Sequence, residues 1–237
     1  WLARAVNDEA DDARQNLHRI RFEQLVGQVP RPMRMIFTDD SITVARFSRD
    51  GSQIHLAGGQ PDAQDAPGWL RTWDIQSGKP TGAPNQTVQS VQRLAETHSQ
   101  RLLATASGNQ GWRKPPGEVS RGGIRLWEAA AGSPASQPLE LEGSVLRVEF
   151  SPNDKLVAAA DNLGHVRVWN TIDGSAATPM LSHRDMVTGL AFSPDGKHLL
   201  TSSHDGEAIT WDIATGKRLA TLEHSARLRF AVYLPDG

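Results

Sequence analysis

The stretch VTGLAFSPDGKHLLTSSHDGEAITWDIATGKRLATLE, residues 187–223, decides the fold. VTGLAF alternates toward an apolar end and reads as a strand. SPDG then supplies a turn, in which Pro194 presets the bend and Asp195-Gly196 tolerates positive φ. HLLTSS is the next strand, HDG a turn, EAITWD a third strand, ATGK a turn and RLATLE a fourth strand. Short strands with turn chemistry at close intervals indicate an all-β sandwich, barrel or propeller.

The same string recurs along the chain. LRTWD ends at Asp74, IRLWE at Glu128, VRVWN at Asn170 and AITWD at Asp212. Trp127, Trp169 and Trp211 are 42 residues apart in succession, and Trp73 lies 54 before Trp127. A second marker precedes three of them: RFSRDG from Arg46, EFSPND from Glu149 and AFSPDG from Ala191. In the second unit Leu94-Ala95-Glu96 takes the place of Leu190-Ala191-Phe192. The excess spacing places one insertion at about 60–70 and another at about 109–123, both between the second and third strands of a unit. A unit of about 42 residues with four strands and a closing Trp-Asp selects the propeller among the all-β choices.

At this point the chain resembles the WD-repeat family, over roughly residues 33–237. The resemblance implies an incomplete β-propeller at 31–237, with blades at about 38–80, 87–136, 141–179 and 183–223 and the start of a fifth at 224–237, where AVYLPDG copies LAFSPDG. It implies a buried hydrogen-bonded tetrad of His183, Thr201, Asp205 and Trp211, whose role is structural rather than catalytic. The other units keep Trp73, Trp127 and Trp169 but depart from the tetrad. The third has Leu141, Ala159 and Leu163. The second has Thr87, Thr105 and Asn109, and the first has Thr38 and Leu56. Half-kept networks predict weaker first and second blades. The family's usual seven blades imply that further blades come from a longer protein. MRMIF at 33–37 fits the outermost strand of the last blade and is expected to be a bare edge here.

Residues 1–30 change period. Ala13, Leu17, Ile20 and Leu25 recur at helical spacing, Asn7 is a plausible N-cap, and Gly27 and Pro30 stop the run. A helical linker segment is therefore expected ahead of the propeller. The stretch HRIRFEQLVGQVPRPMRMIFTDDSITVARFSRDG, residues 18–51, resembles the linker that leads into the C-terminal propeller of planctomycete-type bacterial serine/threonine kinases. That resemblance implies a kinase domain upstream, with this piece as its sensory or regulatory part. The string His183-Arg184-Asp185 is not a kinase catalytic loop, because Leu190 stands where that loop needs an Asn to hold a metal ion.

Composition bounds the function classes. The chain has 237 residues, 38% of them hydrophobic, which suffices for one large domain. Its 25 Lys+Arg against 27 Asp+Glu leave no basic excess, which argues against nucleic acid or an anionic membrane surface as partner. No apolar run reaches the roughly 20 residues of a membrane span. With no cysteine, a disulfide framework, a thiolate metal site and a cysteine nucleophile are excluded, and the compartment stays open with the cytoplasm as default. The chain starts at Trp1 and stops at Gly237, inside a repeat, which reads as a fragment of a longer protein.

Function is expected on the loops. Trp69 and Trp112 lie outside the repeat positions, and Trp112 is followed by Arg113 and Lys114, an aromatic beside cations on a proline-stiffened loop. The alternative is that both indoles fold onto their own blades. The resemblance implies further partner-binding candidates on the same face, Met186, His204, Arg227 and Arg229, the two arginines suiting an acidic peptide or a phosphate. The bland reading of these arginines is solvated surface charge. Histidines have no metal-ligand spacing, Gly58-Gly59 and Gly122-Gly123 lack a following helix, and Asp161 and Asp185 sit at repeat turns. The expectation is a non-catalytic scaffold without cofactor or metal, binding a protein or peptide.

Overall fold

The computed structural model describes residues 41–59, 67–87, 89–108 and 122–233. The segment expected to be helical, MRMIF, the boundary near residue 30 and most of both inserted loops lie outside these residues. Among the described residues there are sixteen strands and no helix. They form four antiparallel four-stranded sheets, each a simple meander. The first holds β1 (Ile42–Phe47), β2 (Gln53–Gly59), β3 (Gly68–Asp74) and β4 (Pro80–Thr87). The second holds β5 (Val91–Glu96), β6 (Leu102–Ser107), β7 (Gly122–Glu128) and β8 (Leu139–Leu141). The third holds β9 (Val145–Phe150), β10 (Leu156–Asp161), β11 (His165–Asn170) and β12 (Leu181–Ser182). The fourth holds β13 (Val187–Phe192), β14 (His198–Ser203), β15 (Glu207–Asp212) and β16 (Arg218–Glu223).

Turn chemistry recurs at each first hairpin. Ser193 donates its hydroxyl to Asp195 (2.6 Å) and accepts from the His198 N–H (2.9 Å). Ser48 with Asp50 and Ser151 with Asn153 repeat the arrangement. In each, the serine oxygen satisfies a backbone N–H at the start of the second strand, and the turn Asp or Asn fixes the hydroxyl. Gly51 and Gly196 take the left-handed conformation there at φ 71°, and Gln100 and Asp154 hold the same place at φ 59° and 61°.

The four tryptophans share one register. Trp73 pairs with Ile54, Trp127 with Leu103, Trp169 with Val157 and Trp211 with Leu199, each the second residue of a second strand. Trp127 packs against Ala57 and Leu70 of the preceding sheet, Trp169 against the second sheet, and Trp211 against the third. The core therefore lies between sheets, not within one. The innermost strands β1, β5, β9 and β13 lie side by side in sequence order.

Three features differ from the sequence expectation. The fourth strands of the first three sheets run to Thr87, Leu141 and Ser182, past the expected ends at 80, 136 and 179. In the second and third sheets, chain with isolated bridges at Trp127–Pro134 and Trp169–Ala176 comes first and delays the pairing. Second, residues 224–233 form no strand. They nevertheless follow the path of an innermost strand. Thr188 donates its hydroxyl to Leu228 O (2.7 Å), as Thr43 at the equivalent place in β1 donates to Val91 O of the second sheet. No second strand is described against them. Third, Trp69 belongs to β3 rather than to the inserted loop, which makes it 6% exposed.

Candidate functional site

The best-formed polar site is in the fourth sheet. His183 precedes β13, Thr201 lies in β14, Asp205 in the β14–β15 turn and Trp211 in β15. Trp211 Nε1 donates to Thr201 Oγ1 (2.8 Å), and that hydroxyl is 2.7 Å from His183 Nε2. His183 Nδ1 lies 3.0 Å from Asp205 Oδ2. The consistent assignment is a neutral imidazole, with Nδ1–H donating to the carboxylate and Nε2 accepting from the hydroxyl. Burial pushes the His183 pKa below its ordinary value, against the pull of Asp205. Burial pushes Asp205 up, but the Arg184 and Glu207 N–H groups and His183 outweigh it and hold the carboxyl low.

This arrangement locks β14 and β15 to the segment entering β13. The hydroxyl is buried beneath Trp211, and both ring nitrogens of His183 are engaged. His183, Asp205 and Glu207 bring three ligand-type atoms within 4.8 Å of one another. Glu207, which sequence reasoning did not single out, pairs with Arg184 and lies 3.6 Å from Arg218. His183 and Asp205 are engaged in hydrogen bonds, and Glu207 lies against two arginines with its Oε2 free of hydrogen bonds.

The other sheets depart from this network in different ways. In the second, Trp127 Nε1 still donates to Thr105 (2.9 Å), while Thr87 caps Gln89 O (2.7 Å). In the third, buried Asp161 takes over the turn. It accepts from the Gly143, Leu163 and His165 N–H groups at 2.8–2.9 Å and lies 3.0 Å from His165 Nδ1. In the first, Leu56 leaves Trp73 Nε1 buried without a hydrogen bond. There, buried His55 instead meets Thr72 (Nδ1 to Oγ1, 2.9 Å).

The partner-binding candidates separate. Met186 and His204 come together at one end of the fourth sheet, where the His204 N–H donates to Met186 O (3.0 Å). Arg227 and Arg229 are exposed beside them, because the Leu228 N–H between them donates to Ser203 O (3.2 Å). Trp69 is buried and is not a surface contact; it stacks under Arg71 at 5.5 Å. The missed signal was adjacency: Trp69 directly precedes the LRTWD string, and β3 extends back through it to Gly68. Trp112, Arg113 and Lys114 lie outside the described residues. The roots of their connection are described: Ser107 pairs with Gly123, and Gly108 and Gly122 sit against Ser144 and Val145 at the start of β9.

The WD domain, G-beta repeat family model matches residues 136–170 and 177–212, the third and fourth repeats. These matches support a WD-repeat family, and the stacked antiparallel sheets are consistent with a fragment of a WD-repeat propeller. Repeats of this kind commonly mediate protein interactions and are generally non-catalytic. Comparison with curated proteins finds no match to this chain.

Proposed function

We propose that this chain is a non-catalytic interaction scaffold that presents loops from one end of a stack of rigid sheets to a protein or peptide. The observation that carries this reading is the placement of the β2–β3 and β6–β7 connections. Of the four connections between a second and a third strand these are the two long ones, and in the fourth sheet the corresponding turn is bonded to the segment entering the innermost strand through Asp205, Arg184 and His204. In this reading, loops on that end share one face and are anchored at both roots in antiparallel sheet, the usual way a scaffold positions binding residues. Trp112, Arg113 and Lys114 supply the aromatic and cationic contact, with Met186, His204, Arg227 and Arg229 further around. Trp73, Trp127 and Trp169, together with the tetrad, serve as struts beneath them. Further sheets of the same kind, from a longer protein, complete the ring in this reading.

The test is affinity capture with the intact chain, Trp112→Ala, and a double Arg113→Ala, Lys114→Ala variant. Loss of partner recovery in the variants, with unchanged far-UV circular dichroism, supports the loop reading. Equal recovery by all three removes it.

A further inference from the structure

Arg93 and Arg147 hold the same place in neighbouring repeats, three residues before the ends of β5 and β9. Val44 and Gly189 hold it in the first and fourth sheets. Arg93 donates Nε to Leu146 O (3.0 Å) and Nη1 to Gln92 O (2.7 Å). Arg147 donates Nη1 to the same Leu146 O (2.8 Å). Two guanidinium groups from adjacent innermost strands thus meet at one carbonyl, their donor nitrogens within about 6 Å of each other, where unscreened like charges repel strongly.

Both side chains are half-buried, and no carboxylate among the described residues pairs with either. Glu149, on the same strand, interacts with Arg46 and His98 instead. Burial first, and then the charge of Arg93, push the Arg147 guanidinium below its ordinary range. A guanidinium carries five N–H donors, so most of those on the pair are left over. Leu146 O fills the point where the two groups meet, and the planar donor edges they leave over suit the oxygens of a phosphate or a carboxylate beside it.

We propose that Arg93 and Arg147 form a binding site for one oxyanion group, a phosphate or a carboxylate, at the innermost strands of the second and third sheets. The bound anion cancels the repulsion that the pair carries alone. The site stands apart from the loop reading, because it uses neither Trp112 nor the basic residues after it. It lies near the roots of the β6–β7 connection, which touch Ser144 and Val145, next to Leu146.

The test titrates inorganic phosphate into the intact chain by isothermal calorimetry at constant ionic strength, with sodium acetate as a second arm. Wild type is compared with Arg147→Gln and Arg147→Lys, and each variant is checked by circular dichroism. Saturable binding of either anion that weakens tenfold or more in Arg147→Gln supports the site. Tighter phosphate than acetate assigns a phosphate ligand, and the reverse a carboxylate. Arg147→Lys, which keeps the charge but loses the fork, is expected to bind between the two and serves as the decisive variant if the Gln form does not fold. Absence of saturable binding in wild type, or equal binding in the folded variants, overturns the proposal.

Discussion

His55 Nε2 lies 3.4 Å from Glu96 Oε1, with both side chains buried and the two on different sheets. Glu96 stands where Phe150 and Phe192 stand in later repeats, so an apolar contact between sheets is here replaced by a polar one. Thr72 fixes the other ring nitrogen of His55, and the Arg49 N–H (3.1 Å) holds the second oxygen of Glu96. Burial pushes the His55 pKa down more than Glu96 pulls it up, and His183 is pushed down in the same way. Both histidines therefore resist protonation when folded but accept a proton near pH 6.5 when unfolded. Stability from these sites is undiminished above about pH 6.5 and falls as pH drops from there toward the folded-state pKa, by at most about 1.4 kcal/mol per pH unit for each. Urea unfolding at pH 7.5, 6.0 and 5.0 checks this. Stability that is flat or rising on acidification through that range contradicts it.

Thr201 is the centre of the fourth-sheet lock, since its hydroxyl serves both Trp211 and His183. Thr201→Val keeps the shape and leaves two buried polar groups unpaired, at about 1–3 kcal/mol each. Thr105→Val orphans one such group, Trp127 Nε1. Thr201→Val is expected to cost about twice as much as Thr105→Val by denaturant unfolding. Equal costs would show that His183 gains nothing from the hydroxyl.

What the sequence made legible was what it repeats. The 42-residue spacing of Trp127, Trp169 and Trp211 and the S-P-[DN] turns recur, and each occurrence supports the others. The tetrad of the fourth repeat came from the resemblance to the repeat family, not from periodicity. Pairings made once were not. Asp161 replaces the turn acid from two residues earlier, and nothing in local composition marks that shift. His55–Glu96 and Arg93–Leu146 join different sheets, and periodicity along one chain does not report which side chains meet across a sheet boundary. For Trp69 the sequence left two readings open, because the Pro- and Gly-rich chain before it resembles a loop; its pairing with Gly58 and Gln86 places it inside a strand.

Phe47, Phe150 and Phe192 are equivalent in sequence but not in surroundings. Phe150 and Phe192 are 4% and 8% exposed against the preceding sheet, whereas Phe47 is 63% exposed. Leu222 at the opposite end is 72% exposed, while Leu181 at its place in the third sheet is 2%. Position along the stack, not residue identity, sets the burial. Phe150→Ala or Phe192→Ala is expected to cost about 3–5 kcal/mol, as large-to-small core changes do. Phe47→Ala should cost under about 1 kcal/mol in this chain, as surface changes usually do. A cost for Phe47→Ala matching the other two, measured by chemical unfolding, would mean that this face is covered in solution.

Gly164 and Gly196 separate two reasons for a glycine. Both have positive φ, 94° and 71°. Around Gly196 an added Cβ meets nothing closer than 3.7 Å, so Gly196→Ala should cost only the left-handed backbone, about 1–2 kcal/mol. At Gly164 the added carbon lies 2.6 Å from His183 O, where the chain crosses from the third sheet to the fourth and the His183 N–H donates to Gly164 O (2.9 Å). Backbone cannot yield there without shifting His183, which anchors the lock at Thr201 and Asp205. Gly164→Ala should therefore exceed Gly196→Ala in unfolding free energy and also perturb the near-ultraviolet circular dichroism of Trp211, which sits edge-on to the His183 ring at 6.2 Å. Equal costs with an unchanged Trp211 signal would show that the crossing strand is free to move away, and that the lock does not depend on this close approach.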